Sequence, residues 1–232
     1  MAATAYCLRL GTGDVYVSGV ELIGGCLGAG AVDAASVAAR TLIFEDVGAW
    51  GAGCMDGAAT PAFGIDNMTG LAIFHRCYGY DALGNIFSFK GAGGQLHALM
   101  IDCWGIDAGQ AGANPISYAN HIVAAGVSVR LISLNPQASY SAGGCIQGSG
   151  NSQHWDPGSI YAYDRGDHWL GAAGSVPPTG VRVDGSARYW SQDITVAGCE
   201  TSFSAATDAR IRLRSPVEIG GRRGGAGAVG DY

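Results

Sequence analysis

The chain has 232 residues and a net charge of −6, with 14% charged and 48% hydrophobic residues. The apolar share excludes a disordered chain, and 39 glycines in 232 residues exclude a mainly helical one, because each glycine costs a helix about 1 kcal/mol. The acidic balance lacks the basic stripe that tracks phosphates, so no nucleic-acid partner is expected.

What remains is an all-β chain with many turns. One unit recurs: apolar, any, apolar, two turn residues, apolar, any, apolar. In chain order it appears as VYVSGVEL from Val15, LIFEDVGA from Leu42, AIFHRCYG from Ala72 and LMIDCWGI from Leu99. It continues as VSVRLISL from Val127, YWSQDITV from Tyr189 and IRLRSPVEI from Ile211. The starts are 27, 30, 27, 28, 62 and 22 residues apart, a period of about 27. The gap of 62 holds either an extra coil, with Tyr161 to Arg165 as its strand, or a lateral insertion at 135–185.

Alternation over three residues signals a short strand, and the two middle residues turn a corner. A third apolar stretch precedes most units: Leu8/Leu10, Phe63/Ile65, Phe87/Phe89, Ile122/Val123 and Val181/Val183. Three short strands per period make one coil of a parallel β-solenoid. One coil cannot bury its own inward side chains, but coils stacked ~4.8 Å apart form continuous apolar ladders. The expectation is a single-chain solenoid of seven or eight coils over 1–219, followed by a glycine-rich tail over 220–232.

The stretches LRLGTGDVYVSGVELIGG and VRVDGSARYWSQDITVAGC resemble coils of the right-handed parallel β-helix family of pectate lyases, polygalacturonases and phage tailspikes. The right hand is implied by that resemblance. So is a choice of functions: a spike, fibre or decoration protein on the surface of a phage-like particle, or a secreted polysaccharide lyase or glycoside hydrolase. A bacterial surface adhesin, or a fragment of a longer solenoid, is a third reading. The polygalacturonase signatures NTD, GHG and RIK do not occur, so no catalytic residue carries over and the reading leans away from an enzyme.

Seven cysteines, an odd number, have no CxxC or zinc-ligand spacing, and the five histidines have none either. No metal or cofactor is expected. The thiols read as small buried apolar groups in a chain folded under reducing conditions. The first ten residues do not read as a signal peptide, and no apolar run is long enough to span a membrane.

Three sets of residues could carry function. Outward positions of the first strand, placed at Tyr16, Ile43, Ile73 and Met100, form an apolar stripe to be covered by the chain's own loops, by a sister subunit, as in a trimer around an axis, or by a ligand. The corners supply a charge ladder of Glu45, Asp46, Arg76, Asp102, Arg130, Asp193 and Arg214. In an enzyme, Asp46 and Asp102 would form the acid pair, near 9–10 Å apart by the coil spacing, joined by Asp164 and Arg165. The densest polar-aromatic segment holds His154, Trp155, Tyr161, Tyr163, Asp167 and Trp169, candidates to bind a cell-surface polysaccharide. Trp50 and Trp104 rank lower, since the assumed register points Trp104 inward.

Overall fold

A computed structural model describes residues 8–10, 13–23, 32–33, 39–51, 61–66, 69–82, 85–90, 95–108, 120–125, 129–134, 137–139, 144–162 and 179–232. Every regular element among them is a strand, and the paired strands run parallel in three sheets. Sheet A holds Leu8–Arg9, Val32–Asp33, Phe63–Asp66, Phe87–Lys90, Asn120–Ala125, Gly144–Gly148, Thr179–Val183, Thr201–Ala205 and Arg222–Gly224. Sheet B holds Val15–Ser18, Ala39–Glu45, Thr69–His75, Leu96–Ile101, Val129–Leu134, Gln153–Pro157, Arg188–Gln192, Arg210–Arg214 and Ala228–Asp231. Sheet C holds Glu21–Ile23, Gly48–Trp50, Tyr78–Ala82, Trp104–Ala108, Gln137–Ser139, Ile160–Ala162, Thr195–Ala197 and Val217–Ile219.

The chain visits A, B and C in turn, and each strand pairs with its counterpart one coil away. This is the expected parallel β-solenoid. In the long gap, Gly144–Gly148, Gln153–Pro157 and Ile160–Ala162 make a coil of their own. Its sheet B strand is Gln153–Pro157, whereas Tyr161 belongs to sheet C. The segment 220–232, set apart by its glycine content, carries two further strands that pair with Thr201–Ala205 and Arg210–Arg214. Glycine does not prevent this, because a strand can borrow its stability from the coil it stacks on.

The interior is built by stacking like on like. Phe44 lies on Phe74 with ring centroids 4.8 Å apart, and Phe63 on Phe87 at 4.9 Å. Phe74 also meets Phe63, Phe87 and Phe89 edge-on. All five rings are fully buried or nearly so. Each such ring contributes roughly 1.5–3 kcal/mol by burial, and a good ring pair adds about 0.5–1.5 kcal/mol. Beside them Cys77 and Cys103 are buried free thiols in adjacent coils, donating to the carbonyls of Phe44 and Phe74.

The corner between sheets B and C has a fixed backbone solution. Gly19, Asp46, Arg76, Asp102, Gly158, Asp193 and Ser215 all adopt positive φ there. Their amides keep the ladder running through the bend: Asp46 donates to the His75 carbonyl, Arg76 to Ile101 and Asp193 to Arg214. Glycine takes this conformation freely and aspartate tolerates it, but a bulky residue is strained. Arg76 is therefore held by its surroundings.

At the C-terminal level the inward positions change character. Glu218 stacks on Val196, Asp231 on Leu213 and Arg223 on Phe203. One residue from each sheet thus forms an ion triad, with Arg223 Nη2 2.7 Å from Glu218 and Nη1 2.9 Å from Asp231. The guanidinium sits 5.9 Å from the centre of the Phe203 ring.

The corner geometry gives a direct test. Asp193→Val places a β-branched residue at φ 55° and is expected to cost about 1–2 kcal/mol in urea denaturation. Asp193→Gly should stay within about 0.5 kcal/mol of the parent, because relief of strain offsets its freer unfolded chain.

Candidate functional site

The corner charges form one local cluster. Arg76 grips Asp46 through Nε at 2.6 Å and Nη2 at 2.7 Å, and its Nη2 also reaches Glu45 at 3.2 Å. Glu45 further accepts from the Tyr16 hydroxyl at 2.8 Å and lies 3.1 Å from His75 Nδ1. The Arg76 hydrogen bonds hold the Asp46 carboxyl below its ordinary range. Those from Tyr16 and His75 do the same for Glu45. Carboxyls kept ionised in this way are poor general acids.

Asp102 follows Arg76 at the equivalent corner, so acid, base and acid succeed one another there. The rest of the assumed ladder is distributed differently. Arg130 lies within a sheet B strand, paired with His97 and Gln153, away from the corner. Asp193 is a corner residue, but Arg214 stacks on Gln192 and leaves the corner below Asp193 to Ser215. Asp164 and Arg165 lie outside the described residues.

The polar-aromatic segment divides by strand parity. Trp155 points outward and is 45% exposed, whereas His154 and Tyr161 are buried. These two are therefore interior residues and cannot face a glycan. Tyr163, Asp167 and Trp169 lie outside the described residues. Inside, buried Asp156 accepts from the Tyr161 hydroxyl at 2.8 Å, the Tyr189 hydroxyl at 2.5 Å and the Ser159 hydroxyl. Ser191 donates to the Asp156 carbonyl. Burial, followed by the Asp156 charge, raises the Tyr161 phenol well above its usual range. His154 packs edge-on against Tyr189, and burial depresses its pKa to about 3.

The apolar stripe on sheet B exists with one substitution of members. Tyr16, Ile43 and Ile73 point outward in register. Met100 does not, because it is fully buried beneath Phe74, and Leu99 takes the outward place beside Ile73. The error is one residue of register. Ile101 pairs with His75, so Asp102 aligns with Arg76 and Cys103 follows where Cys77 does.

The same shift turns Trp104 outward and uncovers an aromatic surface on sheet C. Its strands Gly48–Trp50, Tyr78–Ala82 and Trp104–Ala108 put Ala49, Gly79 and Gly105 inward. Flanking side chains then face out. Tyr78 lies on Trp104 at 4.6 Å and 7°, and Trp50 on Tyr80 at 5.5 Å and 8°. A β-carbon on Gly48 would stand 2.4 Å from the Tyr78 ring, so only glycine lets that ring lie flat across the coil below. The Tyr78 hydroxyl points to Glu21 at 3.5 Å, and burial followed by the Glu21 charge raises its pKa. Two parallel stacks of half-buried rings result, side by side on a rigid face. The signal was present as CYGY and CWGI, where cysteine and glycine align.

Among the described residues no group of His, Cys, Asp and Glu is arranged to hold a metal ion, and no helix is long and apolar enough to cross a membrane.

No protein-family model matches the chain, and no curated protein matches it. Among solved structures it is similar to the enzymatically active domain of tailspike protein 4 from bacteriophage CBA120, with a TM-score of 0.51 and 13% identity. The match covers 87% of this chain and 30% of that one, so the chain spans less than a third of its neighbour's length. The likeness supports a tailspike-like parallel β-helix fold.

His154 provides a pH test. The unfolded chain takes up its proton near pH 6.5 and the folded chain only near pH 3. Stability from this residue is complete above pH 6.5 and declines by about 1.4 kcal/mol per unit as pH falls below it. Denaturation midpoints measured from pH 7 to 4.5 should drop steeply for the parent and less steeply for His154→Leu.

Proposed function

We propose that this chain is a structural, carbohydrate-binding β-helix of a phage or phage-like particle, a spike, fibre or decoration element displayed at the virion surface. The observation that carries the reading is the double aromatic stack of Trp50, Tyr80, Tyr78 and Trp104 on sheet C. Sugars pack on aromatic surfaces that have polar groups at their margin; here the outward rims of the stacked rings make the surface, and Glu21 supplies such a group. Exposed Trp155 adds a further stacking surface on sheet B. The fold of the tailspike neighbour is compatible with this role.

The partner on the other face is a sister subunit, in a trimer that buries Tyr16, Ile43, Ile73 and Leu99. Exposed Tyr16 and its half-buried neighbours form the contiguous apolar strip that such a contact requires. The lyase or hydrolase alternative is weaker, because Asp46 is committed to Arg76.

Two measurements test this reading. Trp104→Ala should lower affinity for bacterial surface polysaccharide about tenfold in affinity electrophoresis, the loss of ~1.4 kcal/mol expected for one stacking surface. Unchanged binding would remove the sheet C site. In light scattering, the parent should run as a trimer and Ile73→Glu as a monomer, and a monomeric parent would remove the subunit interface.

A further inference from the structure

The strand Arg210–Arg214 alternates strictly, with Ile211 and Leu213 buried and Arg210, Arg212 and Arg214 exposed. Three cations therefore stand in a row on the outer face of sheet B, about 6.7 Å apart along the strand. Arg188 lies beside Arg210 in the preceding coil, its guanidinium donating to the Asp208 carbonyl at 2.8 Å. Trp190 lies beside Arg212, and Trp155 beside Trp190.

Four other described arginines are paired. Arg76, Arg182, Arg222 and Arg223 all reach carboxylates. Among the described residues no such ion pair is made by Arg210, Arg212 or Arg214. A chain of net charge −6 has spare carboxylates, yet it leaves these like charges adjacent, an arrangement that costs stability until an anion arrives.

The surface around them is concave. Arg212 is followed in the next coil by Gly230 and Arg210 by Ala228, and the missing side chains open a groove of about 680 Å³ ending at Tyr232. Asp231 also lines it, but its carboxylate is taken by Arg223. On the other side a hollow of about 100 Å³ lies among Arg188, Trp190, Arg210 and Arg212. Arg210 and Arg212 thus stand between two depressions, one bordered by an indole.

We infer that this face binds an acidic polysaccharide, with Arg210, Arg212 and Arg214 pairing with carboxylates repeated along the chain and Trp190 and Trp155 stacking on its sugar rings. Guanidinium forks match carboxylates in geometry. A row of them on a rigid strand suits a polymer better than a single small anion. The inference extends the glycan-binding reading to a second face and a charged ligand, and it does not depend on the sheet C aromatics.

The test is titration of the full chain with polygalacturonate, alginate and polysialic acid, with dextran and single-stranded DNA as comparators, from 50 to 300 mM salt. At least one acidic glycan should bind with an affinity that falls as salt rises. Arg210→Gln with Arg212→Gln should weaken it at least tenfold and flatten the log–log salt dependence by about one unit per arginine, as in other polyelectrolyte contacts. Arg182→Gln, which removes an exposed arginine paired with Asp184 on sheet A, should leave this binding unchanged, and because the Arg210 and Arg212 exchanges do not touch the sheet C rings, failure of that site and failure of this one are separable. The exchanged side chains are exposed, so the double variant should melt within about 2 °C of the parent. No binding of any acidic glycan, equal binding by the double variant, or tighter binding of DNA would each overturn the inference.

Discussion

Everything in this molecule depends on parallel strands stacked in register at ~4.8 Å. A side chain in such a stack has as its nearest neighbours the residues at the same position one coil below and one above. Each position must therefore suit its own repetition or find a complement. Phenylalanine meets the condition inside, where Phe44 and Phe74 lie face to face. Charge meets it only by alternating in sign, as Asp46 and Arg76 do at the corner. The backbone meets it by holding one left-handed residue at each described corner between sheets B and C, and at Gly19, Asp46, Arg76, Gly158 and Asp193 its amide continues the ladder.

The same constraint produces the surfaces that can bind. On sheet C, small residues at the centre of each strand let the coil turn tightly, and the rings on either side come out flat and stacked. The aromatic platform is thus a by-product of core geometry and requires no loop to position it. On sheet B, Arg188 and Arg210 stack like on like against the rule of alternating sign, and the acidic glycan inferred for that face would supply the missing complement. The interior has its own exception where Asp156, stacked beside Ser191, takes an inward place that is apolar in other coils. Two tyrosines and a serine satisfy it, so the cost of burying a carboxylate is offset by a complete set of donors.

Much of the fold was legible because period 2 within strands and a period near 27 along the chain are both imposed by packing. The limits came from register. In the coil around Asp102 the alternation LMI is as apolar inward as outward, so hydrophobicity could not decide which of Leu99 and Met100 faced the core. The left-handed corner decides it, and aligning Asp102 with Asp46 and Arg76 would have turned Trp104 outward. In the coil of 144–162, polar composition suggested a projecting binding loop. Parity instead buries His154 and Tyr161, and a buried polar network resembles a surface site in composition. The arginine row is visible as RIRLR, but the acidity of the whole chain masks a local run of cations on one strand face.

The ion triad of Arg223, Glu218 and Asp231 bears on what can abut the rod. In a parallel stack the backbone of any level can pair with any strand laid on it, whatever its side chains. Backbone pairing alone would be permissive. The interior is not, because an oily coil laid on this level would strip water from three charges, at several kcal/mol per ion. Packing on this level is therefore chemically selective. The backbone is indifferent to what it meets, while the charged floor favours a layer with a wet or polar underside.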